Sequence, residues 1–267
     1  MLDSMDALQP FHLQRAGVRG SVVRLESAWA EISGRADYPA PIMRLLGEAV
    51  AASALFAGAL KFEGSLSIHL RNAGALGLLF AECTHDGKLR GIARIDEAPD
   101  SSAVDLLDTR AQLAITIENR KSETRYQGLV AVETATLSGA FEGYFTRSEQ
   151  LPTRIVLVAS AGRCAGIMLQ QVAGDGGVLA AADSDGWNRV GHLLDTLTEH
   201  ELLDLPVETL LLRLFHEEEV LLQPARALSF KCSCSPERVA GMLQSLGSEE
   251  AHAAMTESGV LQITCEF

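Results

Sequence analysis

The hydrophobic period changes along this chain, and those changes limit the folds open to it. Leu66, Ile68 and Leu70 alternate with Ser65, Ser67, His69 and Arg71, and Leu113, Ile115 and Ile117 repeat the alternation. A period of two puts every apolar side chain on one face of an extended segment, so both stretches read as half-buried strands. Further strands are expected over Ser21 to Leu25, Leu76 to Glu82, Leu89 to Ile95, Arg125 to Val132, Arg154 to Ala159 and Ala165 to Val172. Pro39 and Pro41 instead precede Ile42, Leu45, Leu46, Ala49, Val50 and Ser53, the spacing of a helix with one face turned inward. One core helix among many strands predicts an α+β, sheet-dominated N-terminal domain.

Gly174-Asp175-Gly176-Gly177 marks a turn that ends this domain, placed at 1–178. Beyond it the period is helical, through Trp187, Val190, Leu193, Leu194 and Leu197, then Leu202, Leu203 and Leu205, then Val207, Leu210, Leu211, Leu214 and Phe215. Pro206 breaks this run into short helices, which form a linker over 179–229. The last segment, 230–267, holds one signalled helix, with Ser235 at its N-cap, Pro236 at the first position, Glu237 in the first turn and Gly247 after Leu246.

Composition removes several classes of function. A chain of 267 residues with 47% hydrophobic and 21% charged residues is neither disordered nor fibrous. Its net charge of -13 opposes binding to phosphate backbones or anionic lipid, so neither nucleic acid nor membrane is an expected partner. Asp3 and Asp6 stand where a secretory signal would carry basic residues, and the apolar stretch Ala49 to Leu60 reads as too short for a membrane span. A cytoplasmic protein is expected.

In that compartment thiols stay reduced, so five cysteines point to metal binding or redox sensing rather than to a static disulfide framework. Three of them, Cys232, Cys234 and Cys265, fall in the terminal segment. A tight turn bearing two thiolates, joined by thiolates from later in the chain, is how small zinc sites are assembled. Lys231 and Arg238 flank the pair and favour the thiolate, which both binds metal and reacts with oxidants. About forty residues bury too little apolar surface to fold alone, and structural zinc supplies on the order of 10–16 kcal/mol. A permanent structural zinc site and a redox switch fit the spacing equally.

Other motifs carry less. His216-Glu217-Glu218-Glu219 lacks the second histidine of a metalloprotease helix and reads as a solvated charged face. Cys83 and His85 form no obvious dyad, Cys164 opens a strand with no base near it, and no glycine cluster is followed by the lysine of a phosphate loop. No catalytic residue is assigned, and an enzyme is not expected.

Three long stretches resemble the heat-shock protein 33 family: Tyr144 to Arg154 (YFTRSEQLPTR), Leu212 to Val220 (LRLFHEEEV) and Phe230 to Ser235 (FKCSCS). Asp37 to Pro41, Leu60 to Gly64, Arg90 to Arg94 and Arg125 to Gly128 match in the same order, so the resemblance covers nearly the whole chain. It implies a redox-regulated, ATP-independent holdase chaperone that is quiet when reduced and zinc-bound, captures unfolding client proteins after oxidation, and forms a homodimer on activation. It further implies Cys232, Cys234 and Cys265 as Zn²⁺ ligands, with Cys232 pairing with Cys234 on oxidation and Cys265 with a cysteine three positions on. That position lies past Phe267, so the expectation is a segment cut short of its fourth ligand, with weakened zinc retention. His252, in a stretch that reads as helix, is a substitute imidazole.

In this family the middle segment rests on the core domain and loosens on oxidation. Trp187, Leu193, Leu194, Leu197, Leu210, Leu211 and Phe215 are therefore candidates for a client surface, or else permanent core. Two other functions compete: a thiol-disulfide oxidoreductase using Cys232 and Cys234, strained by its one-residue spacer, and a zinc-stabilised adaptor with a fixed partner.

Overall fold

The structure is a computed structural model that describes residues 6–73, 76–95, 107, 111–171, 185–247, 265 and 267. It opens with the hairpin β1 (Ala7–Leu13) and β2 (Val18–Leu25), then α1 (Ser27–Ser33) and the long α2 (Ala40–Ala59). Five strands follow: β3 (Gly64–Ala73), β4 (Leu76–Thr84), β5 (Lys88–Ile95), β6 (Gln112–Asn119) and β7 (Thr124–Val130). Helix α3 (Leu137–Arg147) leads to β8 (Thr153–Ala159) and β9 (Cys164–Gln171). Then come α4 (Gly186–Leu194), α5 (Glu199–Asp204), α6 (Val207–Phe215), the short β10 (Val220–Leu222), β11 (Arg226–Ala227) and β12 (Ser229–Phe230), and α7 (Pro236–Leu246).

The strands form two sheets. One runs β10-β1-β2-β9-β8, with β11 also on β1; the other runs β12-β5-β4-β3-β6-β7. Every pairing is antiparallel except β12 on β5. The α+β, sheet-rich body expected from the alternation is present, with helices in the middle of the chain and the cysteines at its end.

Helix α2 packs against strands of both sheets. Ile42, Leu46, Ala49, Val50 and Leu55 are all fully buried on it. At 20 residues and high hydropathy it is long and apolar enough to cross a membrane, which corrects the expectation drawn from Ala49 to Leu60 alone. Here it lies between two sheets, with 78% of its apolar 18-residue window buried inside the protein. A second core lies on the other face of the first sheet, where Phe11, Val22, Ile167 and Leu169 meet Val190, Leu194, Leu202, Leu210, Leu214 and Phe215.

Strand β1, helices α1 and α3 and the short β10, β11 and β12 escaped the reading of the sequence. Strand β1 contains Pro10, which has no N–H to give a ladder; β11 pairs with Ala7 and Leu8, β10 pairs with Phe11 to Leu13, and Pro10 falls in the gap between them. Its ring-bearing neighbour Phe11 lies over Gly20 of β2, where a Cβ would sit 2.2 Å from the phenyl carbon. Helix α1 is capped from outside its own sequence, by Asp6, whose carboxylate accepts from the backbone N–H groups of Glu26 (2.5 Å) and Ala28 (2.8 Å). Helix α3 has a local cap, Thr136, whose hydroxyl accepts from Gly139 N–H, and buries Leu137, Ala140, Phe141 and Tyr144 at helical spacing.

The 216–219 stretch also differs from expectation. Glu218 is fully buried, and its two carboxylate oxygens accept from Arg189 of α4 at 2.6 and 2.9 Å. The charge is pinned under the helical layer rather than solvated. The Gly174 to Gly177 turn and His252 lie outside the described residues.

Candidate metal centre

The terminal segment reaches the body through a two-residue parallel bridge. Ser229 and Phe230 pair with Lys88 and Leu89 of β5, Ser229 N–H donates to Gly87 O (3.0 Å), and Lys231 N–H donates to Leu89 O (2.9 Å). The Arg35 guanidinium lies over the Phe230 ring at 4.8 Å. This bridge carries the chain directly into Cys232-Ser233-Cys234.

The three terminal cysteines converge. Cys232 Sγ and Cys234 Sγ each lie 3.1 Å from Cys265 Sγ, although Cys265 is more than thirty positions away in sequence. All three sulfurs fall within 4.8 Å of one another. A disulfide has sulfurs about 2.05 Å apart, and a tetrahedral zinc site with Zn–S near 2.3 Å holds them about 3.8 Å apart. The observed separations lie between the two, so small shifts of the side chains lead to either state. Three soft donors at three corners fit a thiophilic ion such as Zn²⁺.

The thiols are not equivalent. Burial alone would raise the Cys232 thiol, yet its pKa falls, because Cys234 N–H donates to its sulfur (3.3 Å), Cys265 and Cys234 supply further hydrogen bonds, and Arg90 adds a positive charge. Cys234 is pushed up to about 12, first by its bond to Cys265 and then by Cys232. Arg238, expected to flank the pair, instead donates to Ser233 O (2.9 Å) and so holds the turn. Cys83 and Cys164 are buried elsewhere; desolvation raises both, Cys83 to about 12.

Arg90 of β5 is the residue the sequence did not single out. Its Nε and Nη2 donate to Glu82 of β4 at 2.8 and 3.2 Å, and its Nη1 donates to Ser233 Oγ at 2.6 Å. The same guanidinium lies 4.6 Å from the ring of Phe267 and 5.3 Å from that of Phe80, and the two rings meet edge to face at 5.5 Å. One side chain of the second sheet thus touches both the cysteine turn and the residue two places after Cys265. Only an alternation of charge across β4 and β5 could have hinted at the Glu82 partnership; nothing local points to Phe267.

By contrast, α7 has its expected Ser235 cap, accepting from Arg238 N–H at 3.3 Å, but none of its described side chains is buried. It does not hold the segment to the body through apolar packing.

Residues 6–267 match the family model described as Hsp33 protein. The 33 kDa chaperonin of Hahella chejuensis is 43% identical over 98% of this chain and 91% of its own length. That of Pseudomonas savastanoi pv. phaseolicola is 42% identical over 100% of this chain and 89% of its own. The crystal structure of the 33 kDa chaperonin (heat shock protein 33 homolog) from Thermotoga maritima shares the fold with a TM-score of 0.79 at 17% identity, over 98% of this chain and 92% of that one. With a two-sheet body, a helical middle and a terminal cysteine cluster matched end to end, this chain belongs to the Hsp33 family of chaperones.

Proposed function

We propose that this protein is an ATP-independent holdase whose capture of unfolding clients is switched on when Cys232, Cys234 and Cys265 are oxidised and release Zn²⁺. The convergence of the three sulfurs beside Arg90 is the observation that carries the reading. Zn²⁺, when bound, would supply the cross-link that this weakly packed segment lacks. Cys232, with its lowered pKa, is the thiol that first meets an oxidant. Formation of one disulfide passes two electrons and two protons from two thiols to peroxide, which leaves as two waters. The remaining thiol geometry no longer suits a metal.

Loss of the cross-link frees the segment from the edge of β5. The helices α4 to α6 follow it in this reading, and Leu194, Leu210, Leu211 and Phe215 pass from the second core to solvent, where they bind apolar stretches of clients. Clients, a homodimer on activation and a cytoplasmic setting are part of the same proposal. A net charge of -13 keeps the loaded complex soluble.

The test is light scattering from a chemically unfolded client diluted into buffer, with the protein reduced and zinc-loaded or pretreated with peroxide at an unfolding temperature. Suppression of aggregation by the oxidised sample alone is expected. Suppression by neither, or turnover of a small disulfide substrate, would overturn the holdase assignment.

A further inference from the structure

Away from the cysteines, a cleft runs between the C-terminal end of α2, the β6-β7 edge and the first sheet. Its apolar end, a cavity of about 420 Å³, is lined by Phe56, Leu66, Ile115, Ile117, Phe145 and Leu151. Its other end, about 330 Å³, is lined by His12, Arg19, Lys61 and Arg226 and, among the described residues, by no carboxylate. The two cavities share Arg19, Ala59, Leu60 and Gln170, so they adjoin at these side chains. Each is of the size that takes a small molecule.

The basic end is built rather than incidental. Gln170 is 2% exposed, and its amide nitrogen donates to Thr153 Oγ1 (3.3 Å), which turns its carbonyl oxygen toward the cleft. That oxygen accepts from both Nε and Nη2 of Arg19, at 3.1 and 2.8 Å. A buried neutral amide therefore fixes the guanidinium at the junction of the two cavities without cancelling its charge. Among the described residues, Arg19, Lys61 and Arg226 form no ion pair. All three are solvent-exposed, and together they give this hollow a local positive charge, in a chain of net charge -13, that attracts an anion.

The apolar cavity also contains a carboxylate, Glu149, held by two phenols. Tyr144 Oη donates to Glu149 Oε1 at 2.7 Å, Tyr126 Oη to the same oxygen at 3.2 Å, and the Tyr144 ring covers Gly128. With Glu149 engaged by both hydroxyls, the rest of this cavity offers a ligand mainly apolar walls.

We infer that this cleft binds a single-chain anionic amphiphile, its carboxylate at Arg19 and Lys61 and its alkyl chain against Phe56, Ile115, Ile117 and Phe145. This site uses none of the cysteines and is independent of the redox reading. The test is calorimetric titration of the reduced, full chain with sodium dodecanoate below its micelle concentration. Dodecan-1-ol, dodecyltrimethylammonium and anionic phosphatidylglycerol vesicles serve as separate arms.

Saturable one-to-one binding of dodecanoate is expected, weaker by about tenfold or more for the alcohol and the cation, since a charge-assisted bond is lost. The double variant Arg19→Gln/Lys61→Gln loses a similar factor, Arg226→Gln a smaller one, and Arg71→Gln, exposed on β3 and outside the lining of the cleft, none, each with an unchanged circular dichroism melt. Equal affinity for all three chains, or dodecanoate binding untouched by the double variant, overturns the inference. So does binding to vesicles only, or displacement of dodecanoate by an unstructured apolar peptide at equal affinity, which would make the cleft a membrane or polypeptide surface.

Discussion

The helical layer α4 to α6 and the cysteine segment both lean on a sheet, but by different physics. The helices bury Val190, Leu194, Leu202, Leu210, Leu211, Leu214 and Phe215 against Phe11, Val22, Ile167 and Leu169, with one ion pair, Arg189–Glu218, sealed beneath. Among the described residues, the cysteine segment has a two-residue bridge, the Arg35–Phe230 and Arg90–Phe267 contacts and three sulfurs. Each buried leucine or phenylalanine contributes about 1.5–3 kcal/mol, whereas the contacts around Arg90 are worth about 1 kcal/mol apiece. The helical layer is thus held as core, and among the described residues the cysteine segment is held by polar and aromatic contacts; under the proposed function that leaves its fate to the metal.

That contrast is broken or sharpened by four substitutions and labelling experiments. The largest effect belongs to Phe215→Ala, which empties a fully buried site stacked on Phe11 and should cost about 3–5 kcal/mol in urea unfolding; a loss below about 1 kcal/mol would mean the helices are not core. Arg189→Gln leaves the buried Glu218 carboxylate without its charged partner and should cost about 3 kcal/mol, with reduced protein now holding some clients in the scattering assay. Arg90→Gln should cost only about 1 kcal/mol globally, while proteolysis beyond Lys231 accelerates and the amides of α6 keep their hydrogen-exchange protection. If α6 loosens as much as the segment does, the two regions are one cooperative unit and the comparison fails.

The smallest effect concerns rates alone. In metal-free, reduced protein, alkylation should mark Cys232 first as pH rises toward 9, because its thiol ionises below the ordinary cysteine value. Cys234 and Cys83, both pushed up to about 12, should stay largely unreacted in that window, as protonated thiols. Mass spectrometry of the labelled peptides reads the order directly. Cys83 reacting ahead of Cys232 would show that the second sheet opens more readily than the cysteine segment.

The strands β3 and β6 were legible from their alternation, although the half-buried expectation is corrected: Ser65, Ser67, Ala114 and Thr116 on the other face are buried as well. The short helices of the middle were legible too, from Pro206 and the leucine spacing, as was the capped α7. Helix α1 was not, since its cap, Asp6, comes from twenty residues upstream, and β1 was hidden by a proline that only the split pairing with β10 and β11 makes harmless. Glu218 read as solvated because nothing in HEEE tells which of three adjacent glutamates will face Arg189. The cysteines were named from sequence, but Arg90, Glu82 and Phe267, which dock them, were not.

Composition, period and the clustered thiols by themselves determined an α+β body, a helical middle and a cysteine cluster at the end of the chain. These are local properties, set by the spacing and chemistry of near neighbours. Tertiary structure alone decided that Cys265 meets Cys232 and Cys234, that one arginine on β5 couples that cluster to the sheet, and that a glutamine on β9 aims another arginine into an amphiphilic cleft. Contacts between residues far apart in sequence exist only once sheet registry fixes which side chains share a face, and no spacing rule encodes that registry.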